Sequence, residues 1–153
     1  MHVRPLRGTD ELELVAERMR ATLVEVLGQQ RAVDLYSMDW LRNRSRELRD
    51  EGAIFVAVDG AVVGHTIVRM EPDALGLFST TWVQPEHRRK GVAEALLDRG
   101  ERWLLDNGAR LLATNTSATN SPLIALYERR GYAIAFRDGD MVQLRRDPRS
   151  AAD

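Results

Sequence analysis

Three consecutive cations, Arg88-Arg89-Lys90, stand directly before Gly91-Val92-Ala93, where a strand pattern gives way to a helical one. The first N–H groups of a helix have no partner within the helix and lie at the positive end of its dipole, so they bind anions. Gly91 leaves the backbone bare at this point, and the preceding cations add positive charge. The segment therefore predicts a site for a phosphate or pyrophosphate group that needs no metal ion.

The glycine spacing excludes the two commonest nucleotide loops. A Walker loop places Gly-Lys-Ser/Thr after four variable residues, and the dinucleotide loop reads Gly-x-Gly-x-x-Gly. Neither pattern occurs at Arg88–Ala93, which disfavours a nucleotide-binding regulator. A solvated basic loop before an ordinary helix is the alternative that this segment alone leaves open.

A second segment with chemical potential runs from Asn120 to Tyr132. In it, Asn120 is followed by a helical stretch that contains Tyr127 and ends at Gly131. The two segments together resemble the two signatures of the GNAT superfamily of N-acetyltransferases. In that family an acetyl-CoA loop reads Gln/Arg-x-x-Gly-x-Gly/Ala, and a later Asn is followed by Tyr and then by Gly-aromatic. Val83–Arg88, which reads Val-x-Pro-Glu-x-Arg, is also similar to the family.

The resemblance covers roughly Leu75–Tyr132 and implies roles for individual residues. The third strand of the sheet would part from Arg110–Asn115 and open a cleft. Tyr127 would be the general acid that protonates the departing thiolate, and acetyl-CoA would be the co-substrate. The residues implied to bind the cofactor are Trp82 and Val83 through their main chain, Arg88, Arg89, Lys90, Gly91, Val92 and Ala93 in the loop, and Asn120.

Tyr127 also fits a second interpretation. With Leu123 and Leu126 it lies on one side of a predicted helix, where an aromatic residue often packs in the core. Its position in the second signature favours the catalytic role.

The match breaks at the general base. Some protein-acetylating members of the family use a glutamate, and the corresponding positions here are Leu77 and Asn115, neither of which accepts a proton. The acceptor amine is therefore expected to lose its proton to water, to solvent or to another side chain. Residues that could take it by chemistry alone are Glu71, His65, Asp138 and Asp140, and none of them is assigned this role.

The hydrophobic residues recur every second residue in some segments, which indicates strands, and about every 3.6 residues in others, which indicates helices. Asp10 with Glu13 predicts a capping box, and Ser121 followed by Pro122 predicts another helix start. A strand, helix and strand of this length imply a parallel pair. In chain order the elements are a strand at Val3–Leu6, helices at Asp10–Leu27 and Ser37–Arg49, strands at Ala53–Val58, Ala61–Arg69 and Leu75–Val83, a helix at Val92–Asn107, a strand at Arg110–Asn115, a helix from Ser121 to Gly131, and strands at Tyr132–Arg137 and Met141–Arg145.

This order predicts an α/β (α+β) fold like that of the GNAT family. Its central sheet would be mixed and mostly antiparallel, with flanking helices and one parallel step at the acetyl-CoA cleft. Residues 1–146 are predicted to form one N-acetyltransferase domain, and residues 147–153 a polar tail.

The composition narrows the class of protein. The 153 residues are 44% hydrophobic and 29% charged, which is typical of a globular chain. The net charge of −1 argues against bulk nucleic-acid binding, although Lys90 and the arginines concentrate charge locally. The first residues lack a leader-like apolar segment and no stretch is long enough to span a membrane, so a cytoplasmic protein is expected. There is no cysteine, and His2, His65 and His87 lack metal-ligand spacing, so no metal is predicted.

The acceptor is predicted to be a primary amine of a small molecule, attacked directly in a ternary complex, because the family's glutamates are absent. A protein or peptide acetyltransferase and a non-catalytic acyl-CoA-binding sensor are the alternatives, and a homodimer is possible by analogy with the family. The first two helices, the Gly28–Leu35 connection and the closing hairpin would select the acceptor. Residues there with suitable chemistry are Asp34, Asp39, Asp138, Asp140, Tyr36 and Trp40.

Overall fold

The computed structural model describes residues 1–28 and 37–149. Seven strands form one sheet, and four helices occur in the described ranges. The strands are β1 His2–Pro5, β2 Ala53–Asp59, β3 Ala61–Glu71, β4 Leu75–Val83, β5 Leu111–Ser117, β6 Ala133–Asp138 and β7 Met141–Arg146. The helices are α1 Gly8–Leu27, α2 Met38–Glu51, α3 Val92–Asp106 and α4 Ser121–Arg129, with short 3-10 turns at Pro72–Ala74 and Pro85–His87.

The strand order is β1-β2-β3-β4-β5-β7-β6. Every neighbouring pair is antiparallel except β4 with β5, which are parallel because α3 crosses over between them. The predicted fold class, a mostly antiparallel mixed sheet with one parallel step and flanking helices, is confirmed. Gly60, with a φ of +75°, makes the tight turn between β2 and β3, as an Asp-Gly pair between two strands predicts.

The parallel pair covers only part of each strand. Pairing runs from Leu75 with Leu111 to Phe78 with Thr114, after which β4 continues beside β3 alone and β5 continues beside β7 alone. Ser79 is an extra residue in β4, since Ile67 pairs with Thr80 while Val68 pairs with Phe78. Such a bulge bends a strand and re-aims its end. The two strands therefore part after Phe78, and the cleft opens where it was predicted.

The helices cover both faces of the sheet. Ile67 packs with α1 and α2 in one buried cluster, whereas its neighbour Val68 packs with α3 in another. Because adjacent strand residues point to opposite faces, α1 and α2 lie on one face and α3 on the other. In α1 the predicted apolar stripe is buried at Leu12, Val15 and Met19. None of the helices in residues 1–28 and 37–149 is long and apolar enough to cross a membrane.

Both predicted N-cap residues are wrong, although the two helices form close to where they were predicted. Helix α1 begins at Gly8, before Asp10, and its N-cap residue Arg7 makes no side-chain cap. The Glu11 carboxylate accepts the Arg7 N–H at 2.7 Å instead. Two hydrogen bonds from Arg4 hold that carboxylate in place. At α4 the N-cap is Asn120, not Ser121, since the Asn120 side chain accepts the Leu123 N–H. Asn caps a helix as well as Ser does.

Part of the predicted acceptor region lies outside the described residues. Asp34 and Tyr36, with most of the Gly28–Leu35 connection, belong to that part of the chain. Trp40 lies in α2 and is half exposed.

Candidate functional site

The predicted anion-binding loop adopts a conformation that leaves the start of α3 open. Gly91 is the N-cap residue with a φ of +83°, and a Cβ built on it would meet nothing within 4 Å. The first helical bond runs from the Ala95 N–H to the Gly91 carbonyl, and no side chain of residues 1–28 or 37–149 caps the preceding N–H groups. Glu94, in the first turn, is turned away and accepts a hydrogen bond from Arg130. The N–H groups that begin with Val92 and Ala93 thus face free space, which suits a phosphate group.

The three cations of the loop differ in their surroundings. Arg89 and Lys90 are exposed, and Arg89 has a φ of +63°. Arg88 instead donates from Nε to the Val83 carbonyl at 2.7 Å and from Nη2 to Glu25 at 2.8 Å. Arg88 therefore ties the loop to the end of β4 and to α1, while Arg89 and Lys90 are the cations free to move toward an anion.

The edge of β4 that faces the cleft carries main-chain groups without a strand partner. The Gln84 N–H donates to the Val63 carbonyl at 2.8 Å. Since antiparallel residues alternate between bonding to the partner strand and pointing away from it, Thr81 and Val83 direct their main-chain groups toward the cleft. The Val83 carbonyl accepts the hydrogen bond from Arg88 Nε. Of the two residues predicted to contribute their main chain, Trp82 therefore faces β3, and Val83 faces the cleft together with Thr81, which the sequence did not single out.

Tyr127 combines the two interpretations of its sequence position. The residue is 1% exposed, and its ring packs edge-on against Phe78 and Tyr132. Burial raises the pKa of Tyr127 well above its ordinary value, and hydrogen bonds with Thr81 and Thr114 oppose this shift only in part. Those two threonines belong to β4 and β5, so the hydroxyl lies where the strands part. It stays protonated at neutral pH and can donate a proton into the cleft.

Asn120 stands at the start of the helix that carries Tyr127. Its Oδ1 accepts the Leu123 N–H at 3.4 Å, and the residue is half buried. This bond uses only the oxygen of the side-chain amide. What Asn120 can offer to a ligand is therefore its amide N–H groups.

A buried ion network fixes α4 against α3. Glu101, which is 8% exposed, accepts hydrogen bonds from Arg130, from the Tyr132 hydroxyl and from Arg146. Arg130 also pairs with Glu94 and Asp98. Because Tyr132 packs on Tyr127, this network holds the ring that carries the cleft hydroxyl. The sequence signal for it, acids on α3 and arginines after α4, was too common to single out.

The acids and bases considered for proton removal are placed very differently. Leu77 and Asn115 have no ionisable side chain. Leu77 is buried, and the Asn115 side chain accepts a hydrogen bond from Gln143. Burial lowers the pKa of His65 to about 3, and the charge of Arg18 acts in the same direction. His65 is thus a poor base for an amine.

The remaining candidate bases are carboxylates at opposite ends of the sheet. Glu71 pairs with Arg69 and lies opposite Leu75, at the end of β4 that is remote from the cleft. Asp138 and Asp140 flank the β6–β7 turn beside Ser117, at the cleft end. Within the described ranges, no three His, Asp or Glu side chains are grouped to hold a metal ion.

A surface cavity of about 470 Å³ lies elsewhere on the molecule. It is lined by residues of β1, β2, α2 and α3, among them Arg49, Arg99 and Trp103. None of the cleft residues belongs to it, so it is separate from the site built around Tyr127 and Gly91.

Comparison with known proteins agrees with this geometry. The family described as Acetyltransferase (GNAT) family matches residues 16–132, which is more than half of the chain. An aminoglycoside N(6')-acetyltransferase type 1 from Stenotrophomonas maltophilia is 35% identical over 89 residues, which cover 51% of this chain and 58% of that protein. The mycothiol acetyltransferase of Arthrobacter sp. (strain FB24) is 30% identical over 90 residues, covering 54% and 28%. The chain thus matches little more than half of the first of these curated relatives, and less of the second.

A solved structure shares the fold over nearly the whole chain. The PaiA N-acetyltransferase from Thermoplasma acidophilum, crystallised in complex with coenzyme A, superposes with a TM-score of 0.78 at 16% identity. The superposition covers 96% of this chain and 99% of that one.

Proposed function

Because this chain belongs to the GNAT family of acetyltransferases, we propose that it transfers an acetyl group from acetyl-CoA to the primary amine of a small molecule. The observation that carries the proposal is the buried Tyr127, whose hydroxyl interacts with Thr81 and Thr114, on the two strands that part after Phe78. The aminoglycoside acetyltransferase from S. maltophilia supports a small-molecule acceptor.

The residues of the loop and the strand fit such a co-substrate. The uncapped start of α3 at Gly91, with Arg89 and Lys90 beside it, offers N–H groups and positive charge to a pyrophosphate. The cleft edge of β4 at Thr81 and Val83 offers main-chain N–H groups that orient an extended arm and polarise a carbonyl oxygen.

Acetyl-CoA would supply an activated acetyl thioester at this edge. Tyr127 keeps its proton, because burial raises its pKa, and it donates that proton to the departing sulfur. No described carboxylate takes the glutamate positions at Leu77 and Asn115, so the acceptor amine loses its proton to water or solvent. The amine nitrogen then attacks the thioester carbon directly, and both substrates occupy the cleft together.

Released thiol measures the reaction. A panel of amines is mixed with acetyl-CoA, and free thiol is detected without background because the chain contains no cysteine. Initial rates that give intersecting reciprocal lines support direct attack, whereas parallel lines would indicate an acetyl-enzyme.

Binding of the co-substrate is tested separately by thermal unfolding. A ligand at a hundred times its dissociation constant raises the free energy of unfolding by about 2.7 kcal/mol if it binds only the native state. Coenzyme A should therefore raise the Tm. An unchanged Tm together with no thiol release from any amine would refute the proposal.

The proposal extends to a homodimer through the carboxy-terminal strands. All of β6 is exposed, and it presents Ile134 and Phe136 at the edge of the sheet. An exposed apolar edge strand is a template for pairing with another chain. Sedimentation equilibrium of the wild type and of Phe136→Lys tests this point.

A further inference from the structure

Three buried nitrogen atoms beneath α1 have no hydrogen-bond partner among the described residues. They are Nη1 of Arg18, Nδ1 of His65 and Nε1 of Trp82. Buried polar atoms are nearly always paired, because an unpaired one keeps the full cost of leaving water. Three such atoms in one place therefore call for a partner that the described residues do not supply.

The three side chains form one cluster, here called the Arg18–His65–Trp82 cluster. The guanidinium carbon of Arg18 lies 5.0 Å from the centre of the Trp82 ring. Trp82 and His65 are directly paired across β3 and β4, so both side chains lie on the same face of the sheet, under α1. The charge of Arg18 also acts on the His65 imidazole.

Arg18, which belongs to α1, differs from the arginines that contact this helix, because it forms no ion pair with the described residues. Arg4, Arg42 and Arg88 each pair with a glutamate of this helix, at Glu11, Glu13 and Glu25. Arg88 approaches the same Trp82 ring at 5.9 Å, but Glu25 and the Val83 carbonyl satisfy it. Arg18 is partly exposed, so one part of the cluster reaches the protein surface.

The chemistry of the cluster selects an anionic oxygen ligand. The guanidinium and the indole each present an N–H donor, and neither can accept a hydrogen bond. The third member, His65, is a neutral imidazole that adds no charge of its own. A carboxylate offers two oxygens in one plane to such donors, and arginine recognises it particularly well.

The cluster adjoins the open edge of β4. Trp82 lies between Thr81 and Val83, whose main-chain groups face the cleft. A group held by Arg18 and Trp82 would therefore lie within a few bonds of an amine placed for attack at that edge.

We propose that the Arg18–His65–Trp82 cluster binds a carboxylate on the acceptor, so that the substrate is a small amine that also carries a carboxylate, such as an amino acid. This inference rests on the proposed function, because it assumes that the amine is acetylated in the adjoining cleft. A polycationic amino sugar is disfavoured, since it would place like charge against Arg18.

The first test compares each common amino acid with its amide, which keeps the amine and lacks the carboxylate. Thiol release from acetyl-CoA is measured with the wild type, Arg18→Met and Arg20→Met. Arg20 is the matched control, because two residues along a helix turn the side chain by about 200°. The best amino acid is expected to exceed its amide in kcat/KM by roughly tenfold to a hundredfold, the range for a hydrogen bond to a charged group.

Arg18→Met should abolish this preference mainly by raising KM, and Arg20→Met should retain it. Equal rates for acid and amide, or a preference that survives Arg18→Met, would overturn the inference. A preference for an aminophosphonate over the amino acid would overturn the assignment of a carboxylate.

Two further measurements separate this inference from its premise. Arg18→Met should leave the Tm of the free protein unchanged or raised, because it removes an unpaired buried atom, and a clear fall in Tm would assign Arg18 a structural role instead. Titration with the amino acid should shift the Trp82 indole N–H signal in NMR, identified by its loss in Trp82→Phe. A shift without any acetylation would refute the proposed function and leave the carboxylate site standing. Acetylation without a shift would refute the carboxylate site and leave the proposed function standing.

Discussion

The rings of Tyr127 and Tyr132 meet edge to face, with their centres 4.9 Å apart. Tyr132 is in turn fixed by the hydrogen bond from its hydroxyl to Glu101. Tyr127 therefore sits in a core that is anchored from α3, while its own hydroxyl reaches the opening between β4 and β5. The hydroxyls of these two neighbouring tyrosines thus have different surroundings, and substitutions can test their roles separately.

Removing the Tyr127 hydroxyl is predicted to slow turnover more than it weakens cofactor binding. General acids contribute about 10²–10⁴-fold to rate, and a thiolate leaving group places Tyr127→Phe at or below the lower end of that range. The measurement is kcat for thiol release alongside the Kd of coenzyme A by calorimetry. A turnover equal to that of the wild type would return Tyr127 to a purely structural role.

Tyr132→Phe is the matched control for that experiment. It deletes a hydroxyl from an equally buried tyrosine and leaves Glu101 with one donor fewer. We expect a loss of about 1–3 kcal/mol in the free energy of unfolding and a nearly unchanged kcat. If both variants lose activity alike, packing and not proton donation explains the effect.

Replacing Gly91 by valine is predicted to weaken coenzyme A binding by tenfold or more. The Cβ and methyl groups would occupy the open space before the N–H groups of α3. Gly108→Val is the control, because Gly108 has a φ of +92°, equally open surroundings and a position beyond the other end of α3. Both variants should lose about 1–2 kcal/mol of stability from the left-handed backbone. Equal affinities in the two variants would remove the Gly91 loop from the binding site.

His65 is predicted to make the protein less stable in mild acid. Its folded-state pKa is lowered from 6.5 to about 3, so the unfolded chain takes up a proton between these values while the folded protein does not. Stability is then fully present above pH 6.5 and is lost as pH falls toward 3, by about 2 kcal/mol at pH 5. Urea unfolding at pH 7.5 and pH 5 measures this loss.

His65→Gln should remove this part of the pH dependence, and His2→Gln, at an exposed position on β1, should leave it intact. A pH dependence that persists undiminished in His65→Gln would show that other groups cause it.

Glu101→Ala is predicted to destabilise the protein by about 3–5 kcal/mol, because it leaves buried arginine and tyrosine donors without their acceptor. Glu94→Ala removes a carboxylate that also binds Arg130 but whose side chain is 44% exposed. That control should cost about 0–1 kcal/mol. Chemical denaturation distinguishes the two, and similar losses would contradict a special role for the buried network.

Local patterns in the sequence predicted most of the fold. The Asp59-Gly60 turn, the strand at Leu75–Val83 and the helix from Val92 follow from turn chemistry and hydrophobic period, which depend on neighbouring residues. The two N-cap residues were misplaced, by three residues at α1 and by one at α4. At α4 two residues that cap well, Asn120 and Ser121, stand side by side.

The candidate site also contains residues that local sequence patterns predict and residues that they do not. Gly91, Val83 and Tyr127 were predicted from their motifs, because helix starts and strand ends are encoded in short segments. Thr81 was missed because only the register of β4 on β3 decides which main-chain groups face the cleft. The family resemblance pointed to Arg88 as a cofactor-binding residue, and the tertiary structure shows it bonded to Glu25 and Val83.

By itself, the sequence determined the order of the elements, the open helix start at Gly91 and the pair of signatures, since all three depend on residues close together in the chain. Only the tertiary structure decided how the Ser79 bulge parts β4 from β5, and that the Tyr127 hydroxyl reaches the gap. It also decided that Arg18 of α1 lies on Trp82 of β4, with its Nη1 unpaired among the described residues. Such contacts depend on how distant segments pack, and hydrophobic period specifies which face of a helix is buried but not which polar atoms meet there.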